Sequence, residues 1–318
     1  MLKNQKILLI GGTGFVGRHL ARVLVEGGAH VTIPTRRYEK NRDVTMLPCV
    51  TLIEADISEP GVLEQLTTGA DAVINLVGVL HSDPGLPYGK QFAAAHVELP
   101  KKIVAACQAT GVKRLLHMSA LHAGKQAPSE YLRSKADGEA VITGSGLITT
   151  IFRPSVIVGA RDAFLNTFAK LLRAFPIMPL AGATARFQPV TVDDVAHAFA
   201  QALTNPAMEG QAYDLCGPKV YTLKEIVEYT GAVIGYPRRV IPLSEHMAYF
   251  QAALLSLMPN PPMSADNIRS MEIDSVASAN CQVPPGWNPQ SLEAVAPLYL
   301  LDSGDAAQFA EYRSRAGR

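Results

Sequence analysis

The chain has 318 residues, 48% of them apolar, which suits one large α/β domain with a smaller appended part better than two equal domains. A formal net charge of +1 and a charged fraction of 18% supply no basic or acidic field of the kind that marks a nucleic-acid partner. Cys49, Cys107, Cys216 and Cys281 stand far apart with no Cys-x-x-Cys, so neither a zinc site nor a disulfide framework is suggested, and a reduced, intracellular compartment fits.

The first five residues run directly into an apolar strand, which leaves no room for a signal peptide. The longest apolar run, Ala248–Met258, is too short for a membrane span and contains Gln251 and Ser256. The expectation is a cytoplasmic protein, at most peripheral to a membrane.

Ile7 to Ile10 form a short apolar run that predicts a buried strand, followed at once by glycines 11, 12, 14 and 17 and an amphipathic stretch, Phe15 to Glu26. A strand, a tight glycine turn and a helix start are the parts a pyrophosphate site needs, because the first-turn amides point at the ligand and glycine lets the backbone approach it. Gly11, Thr13, Gly14, Phe15, Val16 and Gly17 are the expected contacts; the alternative is a plain tight turn.

Downstream, His30–Thr35, Thr51–Ala55, Ala72–Leu76, Arg114–Met118 and Thr149–Phe152 predict strands, and Pro60–Thr67, Gln91–Thr110 and Ser129–Thr143 predict helices between them. Alternation of this kind implies a Rossmann-type, doubly wound parallel sheet over residues 1–160. Beyond Gly159 prolines punctuate the chain, and residues 161–318 predict a smaller α+β substrate or partner domain with interleaved elements. It carries helices at Asp193–Thr204, Thr222–Ile234 and Glu245–Leu257 and a strand at Ala212–Cys216. Met258-Pro-Asn-Pro-Pro-Met263 must break the helix before it, and the tail from Ser303 is short and polar. The apolar stretch 248–258 predicts either a helix closing over a substrate cleft or a contact with a membrane protein or bilayer surface.

The end of the second strand selects the cofactor: a carboxylate there would bind a ribose 2′-hydroxyl, whereas arginine accommodates a 2′-phosphate. Thr35-Arg36-Arg37 precedes any carboxylate, so NADP(H) is favoured and NAD(H) remains the alternative, unless the two arginines are simply a solvated basic turn. Asp56 and Ile57 follow the third strand and are placed to contact adenine, although Asp56 could equally cap the next helix. Leu76, Val77 and Gly78 follow the fourth and would let the backbone approach a ribose. Tyr131 and Lys135 are four residues apart on a predicted helix and share one face. A nearby ammonium favours the phenolate and would make the tyrosine usable as a general acid or base.

Gly11-Gly-Thr-Gly-Phe-Val-Gly17, Asp56-Ile57, Tyr131-x-x-x-Lys135 and Arg153-Pro-Ser-Val-Ile-Val-Gly159 together resemble the short-chain dehydrogenase/reductase superfamily in its extended, epimerase-like form. The segment from Ser119 to Lys135 is similar to the atypical branch that contains the nucleotide-binding accessory subunit nine of mitochondrial complex I and its bacterial relatives. The resemblance covers residues 5 to about 205 and fades in the last hundred. It implies further cofactor contacts from Met118, Tyr131, Lys135, Pro154, Ser155 and Val156, and catalytic roles for Tyr131, Lys135 and Ser119. It also implies either an oxidoreductase or epimerase acting on a small carbonyl or hydroxyl substrate, or an accessory protein of a respiratory complex at the inner membrane; a nucleotide-sensing regulator is a third, weaker reading. Two departures stand out: His96 is where the superfamily has an asparagine, and Ala120-Leu121 fall where a hydroxyl is usual, leaving Ser119 to take its place or to touch the cofactor. Ser119 and Phe187, with its neighbour Gln188, are the expected substrate contacts. His19 and His197 read as helix-face residues, Cys107 as core, and no metal site is expected, His117 and His122 included. Helices flanking the sheet could pair two subunits.

Overall fold

The computed structural model describes residues 2–255 and 263–301, with the backbone alone for Glu245 and residues 252–255. The elements in chain order are β1 (Lys6–Ile10), α1 (Phe15–Glu26), β2 (His30–Thr35), β3 (Val50–Glu54), α2 (Val62–Thr67), β4 (Ala72–Asn75), α3 (Lys90–Phe92), α4 (Leu99–Thr110), β5 (Arg114–Met118), α5 (Glu130–Thr143) and β6 (Ile148–Pro154). They continue with β7 (Ile157–Val158), α6 (Phe164–Ala174), β8 (Ile177–Leu180), β9 (Arg186–Phe187), β10 (Val190–Thr191), α7 (Val192–Ala202), β11 (Gln211–Leu215), β12 (Tyr221–Thr222), α8 (Leu223–Val233), β13 (Arg239–Pro242), α9 (Glu245–Leu255), α10 (Ala265–Ser270) and α11 (Leu292–Leu300).

The chain forms two units. The first comprises Met1–Pro154, Val192–Leu215 and Ala277–Trp287, and the second Ser155–Thr191, Cys216–Val276 and Asn288–Arg318. A single cut at residue 160 does not describe this division, because after Pro154 the chain leaves the first unit and returns to it twice. The strand expected at Ala212–Cys216 belongs to the first unit: all five residues of β11 pair in parallel with β6.

The first unit is built on a seven-stranded sheet in the order β11-β6-β5-β4-β1-β2-β3, parallel throughout. Its central strands are continuous apolar runs because both faces are covered. Leu8, Ile10, Val73, Leu115 and Ile151 pack with Ile103, Ala106 and Cys107 of α4 on one face, and burial pushes the Cys107 thiol up to about 12. The order of strands reverses beside β1, and that switch point is where the carboxyl ends open a crevice. Helix starts are local and legible: Ser129 caps α5 by accepting from the Leu132 amide, and Thr222 with Glu225 forms a capping box on α8.

The helix expected over Gln91–Thr110 is present with a defect. Between α3 and α4 the turn Ala93–Glu98 is a π-helix, a wide turn that seldom occurs without a packing or functional cause.

The second unit pairs short strands, β10 with β7, β12 with β9 and β13 with β8, around a core that includes Leu165, Leu172, Leu180, Ile226, Leu292 and Leu300. None of β7 to β10, β12 or β13 was expected, since two- to four-residue strands carry no measurable period, and helices α6, α10 and α11 were not expected either. The proline-rich break 258–262 and the tail beyond Leu301 lie outside the described residues.

The π-turn and α5 approach backbone to backbone. A Cβ on Gly138 would stand 2.1 Å from the carbonyl oxygen of His96, so Gly138→Ala is expected to lower stability by about 1–3 kcal/mol or more. Gly124→Ala, whose added carbon would meet nothing nearer than 3.7 Å, should be close to neutral. Urea unfolding of the two variants checks this.

Candidate functional site

Gly14 caps α1 in an extended conformation with no side-chain bond, and the first turn of α1 holds no carboxylate. Its first-turn amides therefore have no capping side chain and no carboxylate of the same turn to compete for them. Gly11 has φ +86°, and a Cβ on Gly17 would lie 2.4 Å from the Gly11 oxygen and 2.5 Å from the Gly12 Cα, so helix and turn touch where only hydrogen fits. A Cβ on exposed Gly14, by contrast, would meet the Gly11 oxygen alone, at 3.2 Å. The turn is thus tight beneath and open above. These features suit a pyrophosphate.

Arg18 ties this turn to the segment after β2. Its Nε donates to the Thr13 carbonyl at 2.9 Å, and its guanidinium reaches Asn41 Oδ1 at 3.1 Å and pairs with Asp43. Asn41 Nδ2 in turn donates to Thr35 Oγ1 at 3.1 Å and to the Arg37 carbonyl at 3.0 Å. Arg36 and Arg37 lie on that segment with exposed side chains. Asp56 is exposed and accepts from the hydroxyl (2.6 Å) and amide (2.9 Å) of Ser58. Those bonds, with a contribution from Arg36, hold its carboxyl below the usual range, so Asp56 forms a local turn as well as standing at a strand end.

Strands β4 and β5 end beside α5. Lys135 is 3% exposed; its Nζ donates to the Met118 carbonyl at 3.2 Å and would lie 3.0 Å from a Cβ on Gly78. Burial lowers its pKa to about 8, against an opposing pull from Glu139 one turn on. Glu139 is itself gripped by Arg153, whose Nε lies 3.0 and 3.1 Å from its two oxygens and whose terminal nitrogen lies 2.6 Å from one of them. One turn before Lys135, the ring of Tyr131 meets Phe92 and His96 edge-on at 6.0 and 5.6 Å.

The phenol does not behave as the spacing suggests. Burial pushes the Tyr131 pKa up to about 12 rather than down. Desolvation outweighs any help from the ammonium, and the phenol is protonated at neutral pH.

His96, His117 and Ser119, each singled out in the sequence, complete the arrangement together with Ser134 and Asn75, which carried no clear sequence signal. His96 Nε2 accepts from the Val79 amide at 3.0 Å, and its Nδ1 lies 2.8 Å from Ser134 Oγ, which donates to the Tyr131 carbonyl at 2.8 Å. With Nε2 accepting, the ring carries its proton on Nδ1. His96 therefore links the loop after β4 to α5, and both ring nitrogens are used; it replaces the expected asparagine with a cross-link. His117 Nδ1 lies 3.2 Å from Asn75 Nδ2, while Asn75 Oδ1 accepts from the Val77 amide at 3.1 Å. That leaves the His117 proton on Nε2, buried and without a hydrogen-bond partner among the described residues. Ser119 Oγ is likewise unpartnered at 3% exposure, although the Ser119 amide donates to Phe152 at 2.7 Å. A buried hydroxyl without a hydrogen-bond partner is uncommon in a folded protein and calls for an explanation.

Other expected residues fall as follows. Leu76 is buried with its amide on the Ile10 carbonyl, Pro154 ends β6 with its carbonyl on the Leu121 amide, and Ile57 packs against the core of the first unit. In the second unit Ser155 Oγ meets the carbonyl and hydroxyl oxygens of Ser275 at 2.7 and 2.9 Å, and the Val156 carbonyl accepts from Val190. Phe187 is half-buried, its ring 5.8 Å from that of Phe164, and Gln188 donates to the Gly217 carbonyl at 2.7 Å. His19 pairs with Asp193 between α1 and α7 at 3.0 Å. Among the described residues no group of three or more His, Cys, Asp or Glu is placed to hold a metal ion.

The sheet order, the glycine turn and the strand-end residues define a Rossmann-type α/β protein. A model of the NAD dependent epimerase/dehydratase family matches residues 7–216, and the chain belongs to that family. It is 30% identical over 287 residues to NADH dehydrogenase [ubiquinone] 1 alpha subcomplex subunit 9, mitochondrial, of Arabidopsis thaliana, an alignment that spans 86% of this chain and 71% of that protein. It is 26% identical to the ceramide reductase of Caulobacter vibrioides over 75% of this chain and 74% of the other. Among solved structures, the UDP-glucuronic acid 4-epimerase of Bacillus cereus superposes with a TM-score of 0.65 at 18% identity, covering 84% of this chain and 99% of that one.

Both buried imidazoles are neutral in the folded chain: burial, aided by the nearby Lys135 charge, holds His96 at about 2 and His117 at about 3. Unfolded histidine titrates near 6.5, so below that pH the unfolded state binds more protons and stability falls. The expected loss is up to about 1.4 kcal/mol per pH unit for each imidazole as pH drops from 6.5. Urea unfolding at pH 7 and pH 5.5 reads it; a flat profile would remove the buried-neutral assignment.

Proposed function

We propose that the chain binds NADP(H) at the carboxyl ends of its parallel strands and acts as an oxidoreductase on a carbonyl or hydroxyl group. The observation that carries this reading is Lys135: an ammonium buried between the ends of β4 and β5, one helical turn from Tyr131, has no structural task that a neutral residue could not perform more cheaply. The unpartnered Ser119 hydroxyl supports it, since a ligand oxygen would satisfy that atom. The backbone of the glycine turn would take the pyrophosphate, Arg36 and Arg37 the 2′-phosphate, and Lys135 the ribose hydroxyls.

A bound nicotinamide supplies or accepts the hydride. The protein's part is the proton. In the reductive direction Tyr131 donates its hydroxyl proton to the substrate oxygen, Ser119 donates a hydrogen bond to the same oxygen, and the Lys135 charge stabilises the phenolate left behind. A phenol raised to about 12 is held in the protonated form this direction requires. The name of the Caulobacter relative, a reductase, supports the same direction.

A second reading is favoured by the 30% identity to a complex I subunit and by His96, which spends both ring nitrogens on structure. On it, the chain holds NADP(H) as a fixed ligand and serves as an accessory of a respiratory complex at the membrane. The nucleotide released by acid from natively purified protein distinguishes the two: slow-exchanging NADP(H) supports the accessory reading, free exchange the enzyme.

Replacing both Arg36 and Arg37 with alanine should weaken NADPH binding about 10- to 100-fold and NADH binding little, since charge-assisted bonds to the phosphate are lost. Equal losses in fluorescence titrations would reject the 2′-phosphate assignment. Tyr131→Phe should cut turnover by about 10²- to 10⁴-fold while leaving cofactor affinity largely intact; steady-state kinetics on any accepted carbonyl would show it.

A further inference from the structure

The second unit carries an exposed apolar and basic face that none of the proposed chemistry uses. Of the fourteen large hydrophobic side chains exposed among the described residues, six come from two short stretches of this unit: Phe175, Ile177, Tyr236, Ile241, Met247 and Phe250. Phe250 is 66% exposed and Phe175 54%.

These six belong to linked elements. In the parallel pair of β8 with β13, Ile177 pairs with Arg239 and Pro179 with Ile241. Burial alternates along β8, with Met178 and Leu180 inward and Ile177 and Pro179 outward, and Arg239 and Ile241 of β13 are exposed on either side of buried Val240. The outer side of this ribbon is therefore apolar where a solvated strand would be polar. Phe175 and Pro176 continue it into the turn after α6. Tyr236 joins through Arg238, whose guanidinium lies 5.5 Å from the Tyr236 ring and whose Nε donates to the Leu172 carbonyl at 3.1 Å. On α9, Met247 and Phe250 are three residues apart and exposed, while Ala248 between them is buried against Ala181 and Ile268. Gln251 Nε2 reaches the Pro179 carbonyl at 3.4 Å, which brings that helix alongside β8.

Charge identifies the occupant. Residues 164–180 and 234–251 hold Lys170, Arg173, Arg238 and Arg239 against one carboxylate, Glu245; Lys170 and Arg239 are exposed, and Arg173 and Arg238 are half-buried. Aromatic and aliphatic side chains rimmed by arginine and lysine match a surface whose interior is hydrocarbon and whose exterior is anionic. Among the described residues no helix is long and apolar enough to cross a membrane, so contact of this kind would be peripheral. We propose that this face of the second unit docks on the surface of an anionic lipid bilayer, with Phe250, Met247 and Ile177 entering the interface and Arg239 and Lys170 meeting headgroup phosphates. The docking is independent of the nicotinamide assignment.

The test is co-sedimentation of the full chain with vesicles of phosphatidylcholine alone and of phosphatidylcholine with phosphatidylglycerol. The expected result is binding to the anionic vesicles, weakened by salt and slight on the neutral ones. Arg239→Glu should lower the partition coefficient about five-fold or more, whereas Lys125→Glu, an equal charge change on the first unit, should leave it unaltered. Phe250→Ser combined with Ile177→Ser should reduce binding further at unchanged melting temperature, because both side chains are exposed. Failure to bind anionic vesicles, or equal loss from Arg239→Glu and Lys125→Glu, overturns the proposal. So does concentration-dependent self-association abolished by Phe250→Ser, which would assign the face to a second copy of the chain.

Discussion

The candidate site depends on keeping one ammonium ion, that of Lys135, almost wholly out of water. Burial disfavours the charge and lowers its pKa to about 8, which leaves it mostly protonated at neutral pH. Three arrangements keep it in place: the Met118 carbonyl accepts from it, the Glu139 carboxylate one turn away opposes the loss of charge, and Arg153 fixes Glu139 through a two-oxygen contact. Each lies at the carboxyl end of the sheet or on the helix packed against it.

The same enclosure sets the state of its neighbours. Two imidazoles beside a buried cation cannot be cations themselves, so His96 and His117 are neutral, and their hydrogen bonds follow: His96 donates from Nδ1, His117 keeps its proton on Nε2. Tyr131 is caught in the same dry setting. Without a ligand, burial dominates its titration and the phenol stays protonated. The π-turn at Ala93–Glu98 belongs to this economy of space, since it widens the helix where His96 must reach both Val79 and Ser134 and where Gly138 passes against its carbonyl.

The two units divide the work differently. In the first, parallel strands bring turns that are distant in sequence to one edge, so that residues 11–17, 35–43, 75–79 and 117–121 become neighbours of a common crevice. In the second, short strands shield a modest core and leave one ribbon face apolar, with basic residues around it. A surface of that composition is costly in water unless something covers it.

By itself the sequence determined the alternation of strands and helices through β6, the glycine turn, the exposed arginines after β2 and the shared face of Tyr131 and Lys135, because each rests on contacts between residues near in the chain. Apolar runs make buried strands, a serine before a helix caps it, and four residues make one helical turn. What required tertiary structure was every relation between distant residues. Nothing local announces that Arg18 will reach Asn41 and Asp43, that β11 will return to the edge of the first sheet, or that His96 will bridge Val79 and Ser134. The titration of Tyr131 depended on it most: spacing argues for a lowered pKa, but desolvation is a property of the whole enclosure, and only the packed fold decides it.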